Sequence, residues 1–261
     1  MSVPFKLIDT RFELSNPQTG RTLYDQGHIE HAMYWDLNED LSDMTLASGR
    51  HPMPSKKQLQ TLFERSGLYV DDVIYIYDQG AAAYAFRAWF LLKYAGFKNV
   101  MVVNGGMEAL INAGYHVTTE VPTIHPSKLS LHFEEERIVT KEHVKEIVHQ
   151  KVQAQLLDAR SYERYVGKHE PIDTIAGHIP SAKHFDWEQL VNNGKIVEEL
   201  GKLDELSKDQ RYVVYCGSGV SAIPVYAALL ANDFSNVQLY AGSYSDWITS
   251  EEVATGDEMK K

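Results

Sequence analysis

Cys216 is the only cysteine among 261 residues, and it stands where an apolar run stops and a run of small residues starts, in YVVYCGSGVSAIPVYAALL (212–230). A thiol acts as a nucleophile through its thiolate, so a chemical role for Cys216 needs surroundings that favour the anion. The residues that follow, Gly217, Ser218, Gly219, Val220 and Ser221, offer backbone N–H groups with little side chain in the way. They lead into a segment of helical spacing, whose N-terminus would add roughly half a positive charge aimed at the sulfur. Glycines at 217 and 219 allow the close approach and the unusual backbone angles such a cradle requires. A lone cysteine after a strand also fits a core as a small hydrophobe. Three features favour chemistry: its place at the end of a strand, the small polar residues after it, and what stands in its place elsewhere in the chain.

The chain is written twice. FKLIDTRFEL (5–14) corresponds to QLLDARSYER (155–164), and GHIEHAMYWD (27–36) to GHIPSAKHFD (177–186). VIYIYDQG (73–80) corresponds to YVVYCGSG (212–219), and LKYAGFKNVMVVNGG (92–106) to LLANDFSNVQLYAGS (229–243). The spacing between copies is about a dozen residues shorter in the last two pairs than in the first two, which places extra residues of the first copy near 37–57. Two homologous domains are expected, at 1–118 and 138–261, joined by a linker at 119–137 that carries two prolines and charged clusters. In the first copy Asp78 replaces the cysteine, and alanines at 81–83 replace the later part of the loop. One copy is equipped for chemistry and the other is not.

The elements that must position the thiol follow from periodicity. VQAQLLDA, YVVYC and VQLYA read as strands, and KEHVKEIVHQ and AIPVYAALLAN as helices with apolar residues three and four apart. Strands alternating with helices predict an α/β fold, each domain a mainly parallel sheet flanked by helices. Ligands of such sheets gather at the carboxyl ends of strands, where Cys216 lies.

The paired domains, the DAR and GHIP segments and the CGSGVS loop resemble a two-domain rhodanese-type sulfurtransferase, over essentially the whole chain. The loop is most similar to that of the 3-mercaptopyruvate sulfurtransferases, because thiosulfate-using relatives place basic residues where Gly217 and Ser218 stand. The resemblance implies tandem rhodanese-like domains with a site facing the interdomain cleft, and a covalent mechanism without a cofactor. Cys216 would take sulfur from a small donor as a persulfide, with release of pyruvate if the donor is 3-mercaptopyruvate. A thiol acceptor such as thioredoxin or a dithiol, or cyanide, would then remove that sulfur. The persulfide would be held by N–H groups of 217–221, with Ser218 helping to move a proton. Arg164 would grip the donor's carboxylate or sulfonate. His28 is the candidate for a histidine presented to the loop serine, although His178 repeats it in the second copy. Arg160 is repeated by Arg11, which points to a structural role. One departure stands out: in HEPIDTIAGHIP, Ile172 occupies the place of an expected second substrate-binding arginine. Losing such a contact costs about 1.5–3 kcal/mol, so thiosulfate stays open as the alternative donor.

Other classes fit less well. Rhodanese-like phosphatases need an arginine six residues after the cysteine, where this chain has Ala222. A non-catalytic sulfur carrier or redox sensor would share the same loop. No CxxC pair and no histidine spacing indicates a metal, and NVMVVNGGMEAL (99–110) is not a GxGxxG turn. A formal charge of −11, from 25 basic and 36 acidic residues, argues against nucleic acid or an anionic membrane as partner. With one cysteine no internal disulfide is possible, and neither a signal-like start nor a long apolar run is present, so a cytoplasmic location is expected.

Overall fold

A computed structural model of the chain describes residues 5–80, 83–192, 195–196 and 201–257. Its packing divides it into two units: 5–43 and 53–135 with 195–196, and 44–52, 136–192 and 201–257. Each unit is built on a four-stranded parallel sheet. In the first, β1 (Lys6–Asp9), β2 (Ala32–Tyr34), β3 (Ile74–Tyr77) and β4 (Val100–Val102) lie in the order β2-β1-β3-β4. In the second, β5 (Gln155–Asp158), β6 (Lys183–His184), β7 (Tyr212–Tyr215) and β8 (Val237–Leu239) lie in the order β6-β5-β7-β8. The two orders are the same, and the α/β fold expected from the repeat is present twice.

The central strands are the most apolar because helices cover both faces of a parallel sheet. Ile74, Ile76 and Tyr77 of β3, and Val213, Val214 and Tyr215 of β7, are fully buried. The helices of the first unit are α1 (Gln18–Gln26), α2 (Lys56–Arg65), α3 (Ala83–Tyr94) and α4 (Gly106–Asn112). Those of the second are α5 (Lys141–Val148), α6 (Tyr162–Tyr165), α7 (Ala222–Ala231) and α8 (Ser243–Trp247). Helix α2 starts with a capping box: Ser55 Oγ accepts from Gln58 N, while Ser55 N donates to Gln58 Oε1. Helix α7 is apolar nearly all round and accordingly buried, and Pro224 falls in its first turn, where a missing N–H is tolerated.

The repeated sequence motifs turn out to be braces. Arg11 grips the Asp9 carboxylate and donates through Nη2 to Gly27 O at 2.7 Å. Arg160 does the same with Asp158 and with Gly177 O at 2.6 Å. In each unit the histidine after that glycine stacks on a tyrosine, His28 on Tyr24 and His178 on Tyr165. The next N–H, of Ile29 or Ile179, donates at 3.1 Å to the hydroxyl of the tyrosine that ends the central strand, Tyr77 or Tyr215.

Two segments lie differently from the sequence expectation. Of the stretch expected as a linker, 119–135 packs with the first unit, and only the residues after it join the second. Ser127 N and Glu134 N donate to the carbonyls of Glu64 and Tyr94, so a proline-bearing stretch that cannot form its own ladder satisfies its backbone on neighbouring helices. Conversely, 44–52, from the extra residues of the first copy, belongs to the second unit. Of the alanines at 81–83 that replace the loop, Ala81 and Ala82 lie outside the described residues.

Candidate active site

Strand β7 delivers Cys216 to the carboxyl edge of the second sheet, in a tight turn before α7. The side chain is buried, and Gly219 N–H donates to Cys216 Sγ at 3.2 Å. Gly219 has φ +75°, and a Cβ there would run into Ala241 O, so glycine is needed on two counts. Val220 is buried behind the turn, and Ser221 is the N-cap of α7 without a side-chain capping bond. The first residues of α8 hold the loop from the other side. Ser243 Oγ accepts from Cys216 N at 3.1 Å, while Tyr244 N and Ser245 N donate to the carbonyls of Cys216 and Gly217 at 3.0 and 2.9 Å.

Ser218 is buried, and its Oγ shares a 2.9 Å hydrogen bond with Nδ1 of His51, also buried. His51 comes from 44–52. That segment is seated by Arg50 N–H, which donates to Ser245 Oγ at 3.0 Å, and by Gly49, which has φ +89° and lies against Gly242 and Ser245. Ser245 therefore supports the cysteine loop through its N–H and the histidine segment through its hydroxyl.

His28, the sequence candidate for the serine's partner, occupies another place. It is fully buried in the first unit, with Nδ1 2.9 Å from Tyr24 O and Nε2 3.2 Å from Glu120 O. Its two ring nitrogens are taken up by backbone carbonyls, and its duplication in His178 reflects the shared brace described above. The imidazole that reaches Ser218 is His51. A signal for it existed: GRHPMPS (49–55) falls in the extra residues of the first copy, and its histidine has no counterpart in the second.

Arg164 lies beside the loop at the end of α6. Its Nε donates to Glu170 Oε2 at 2.9 Å, and its Nη2 to Asp173 Oδ2 at 2.9 Å. A Cβ on Gly217 would stand 3.3 Å from Arg164 Nη2 and would run into Arg50 Nη2. Arg50 pairs with Asp173 Oδ1. Burial alone would raise the Glu170 carboxyl, but the hydrogen bonds from Arg164 and the Asp173 N–H hold its pKa below the usual carboxylate range. Asp173 goes the other way: burial pushes its pKa up, against the pull of Arg50. Arg160, by contrast, is sealed between Asp158 and Glu170 and lies over the Tyr244 ring at 3.8 Å. Burial works against its charge, yet Asp158 keeps its pKa above the ordinary value, and it serves as support.

The second unit is thus a parallel α/β domain with a buried thiol at the end of its central strand, held by the Gly219 N–H in the turn before α7. Residues 2–113 and 140–250 match the rhodanese-like domain, and the chain belongs to that family. It is 35% identical over 269 residues to a probable 3-mercaptopyruvate sulfurtransferase of Pseudomonas aeruginosa, covering 96% of this chain and 92% of that one. It is 35% identical over 253 residues to a putative thiosulfate sulfurtransferase, SseB, of Mycobacterium tuberculosis, covering 94% of this chain and 88% of that one. Its structure is similar to the crystal structure of SseA from Escherichia coli, described in terms of the rhodanese fold and mechanism of 3-mercaptopyruvate sulfotransferases. That match has a TM-score of 0.80 at 28% identity over 93% of both chains.

Proposed function

We propose that this protein is a sulfurtransferase that takes sulfur from 3-mercaptopyruvate through a persulfide on Cys216 and passes it to a thiol. The Cys216 thiolate attacks the donor's sulfur, the carbon–sulfur bond breaks, and its electron pair passes to the three-carbon fragment as the enolate of pyruvate. One proton completes the pyruvate, and the sulfur stays on Cys216. An acceptor thiolate, from a dithiol or a thioredoxin-like protein, then attacks the outer sulfur. It leaves with that sulfur as its own persulfide and returns the Cys216 thiolate.

The observation that carries this reading is the buried Ser218–His51 hydrogen bond beside the cysteine. An enolate leaving group needs a proton, and a serine–imidazole pair moves one. Thiosulfate asks for less: sulfite leaves with its electron pair and needs no proton. The loop also lacks a cationic side chain of its own, although a doubly charged donor would favour one. Relatives named for each donor exist, so thiosulfate is the second reading. The single thiol suits a reducing compartment such as the cytoplasm, and no helix among the described residues is long and apolar enough to cross a membrane.

Steady-state transfer to a dithiol tests the proposal. Pyruvate should appear with 3-mercaptopyruvate, faster than sulfite with thiosulfate, and Cys216→Ser should abolish both. Turnover of thiosulfate alone would overturn the donor assignment.

A further inference from the structure

The guanidinium of Arg50 needs a role of its own. It comes from 44–52, it reaches the loop at Gly217 beside Arg164, and the two arginines share one carboxylate. Asp173 gives Oδ1 to Arg50 and Oδ2 to Arg164, and its side chain is only 2% exposed. A buried carboxylate with both oxygens occupied in this way fixes two planar forks next to each other. Both forks keep an open side: the Arg50 side chain is 29% exposed and that of Arg164 15%, against 1% for Arg160. Among the described residues, Arg50 Nη2 and Arg164 Nη1 donate no hydrogen bond, so each has a donor left for a ligand.

Ile172 completes the picture. At the position where a second arginine was expected, its side chain is half-exposed and has no donor to offer. The residue after it, Asp173, draws a guanidinium in from the other half of the sequence. Three arginines (50, 160 and 164) then face three carboxylates (158, 170 and 173), and one of the cations belongs to a segment that also carries His51.

We infer that Arg50 is a second donor-gripping residue, aimed by Asp173, and that with Arg164 it forms a fork for the anionic end of the sulfur donor in place of the arginine missing at 172. The inference rests on the sulfurtransferase reading for the identity of the ligand. The shared chemistry is a planar or tetrahedral oxyanion, a carboxylate in 3-mercaptopyruvate or a sulfonate in thiosulfate. A guanidinium meets either through paired N–H groups. The segment 44–52 would then bring both the grip and the proton carrier to the cysteine.

The test compares the native chain with Arg50→Ala, Arg50→Lys and Asp173→Asn. In turnover, Arg50→Ala should raise KM for the donor about ten- to hundredfold with kcat changed much less. Arg50→Lys should recover part of that loss, because it keeps the charge without the fork. Asp173→Asn should raise KM as well, by leaving the fork unaimed. A tether that merely holds the segment would instead lower kcat, since His51 would move with it, and that result would overturn the inference.

Calorimetry on Cys216→Ser, with pyruvate and with thiosulfate as probes, reads binding without chemistry. Adding Arg50→Ala or Arg50→Lys to that background should weaken the anion bound, a loss for pyruvate alone marking a carboxylate fork and a loss for both a general oxyanion fork. Unchanged affinity, or no binding of either anion to Cys216→Ser, would overturn the inference. If the native chain turned over neither donor, the sulfurtransferase reading would fail while the calorimetry still decided the fork.

Discussion

At the scale of single residues, the demanding event in the proposed reaction is the departure of an enolate, and the means to meet it is the hydrogen bond of 2.9 Å between Ser218 Oγ and His51 Nδ1. In that reaction the pair would act as a unit, because the hydrogen bond couples the serine to the imidazole. His51→Ala should lower kcat with 3-mercaptopyruvate about a hundredfold or more. Ser218→Ala should do the same, and the double variant should be little worse than either single one. With thiosulfate the same variants should stay close to the native rate, since sulfite leaves without a proton. Parallel kinetics on the two donors checks this, and equal losses on both would assign the pair to the loop's shape instead. The turn of Cys216, Gly217, Ser218 and Gly219 was legible in the sequence because small residues at the end of an apolar strand favour a tight turn into a helix. His51 was not, because nothing local ties a histidine at 51 to a serine at 218. The repeat drew attention to His28, whose recurrence at 178 reflects a brace made of a tyrosine stack and a backbone carbonyl.

At the scale of elements, β5, β7, β8, α5 and α7 were read from periodicity, whereas β6, α6 and α8, of two, four and five residues, are too short to show a period. What periodicity cannot show is where an irregular segment docks. Residues 44–52 have no regular structure, and they are seated on α8 and the turn before it by the Arg50 N–H bond to the Ser245 hydroxyl and by Gly49 lying against Gly242 and Ser245. Gly49 is the sensitive point: φ is +89°, and an added Cβ would stand 3.0 Å from both Gly242 O and Ser245 Oγ. Gly49→Ala should cost about 1–2 kcal/mol in denaturant unfolding. It should also reduce turnover by loosening Arg50 and His51 together, and native stability with native turnover would show the seat to be unimportant. Segment 119–135 was misread for a related reason. Prolines and charges mark an irregular stretch, but whether it spans a gap or lies on a surface depends on acceptors such as Glu64 O and Tyr94 O, which are distant in sequence.

At the scale of the whole molecule, one fold occurs twice and the cysteine once. Both copies keep the aspartate–arginine brace, the histidine–tyrosine stack and the tyrosine that ends the central strand. Only the second keeps the thiol, and its unit takes Arg50 and His51 from the sequence of the first. The second half of the sequence alone would therefore hold Cys216 and Ser218 without His51 or Arg50, which the proposed reaction uses. A net charge of −11 is no obstacle to an anionic donor when two arginines stand at the loop. Passage of sulfur through Cys216 is tested most directly by the intact mass of the protein after one exposure to 3-mercaptopyruvate without an acceptor. The predicted result is a gain of one sulfur atom per chain, matched by one pyruvate, reversed by a thiol and absent in Cys216→Ser. Pyruvate release without that gain, or the same gain in Cys216→Ser, would contradict the account.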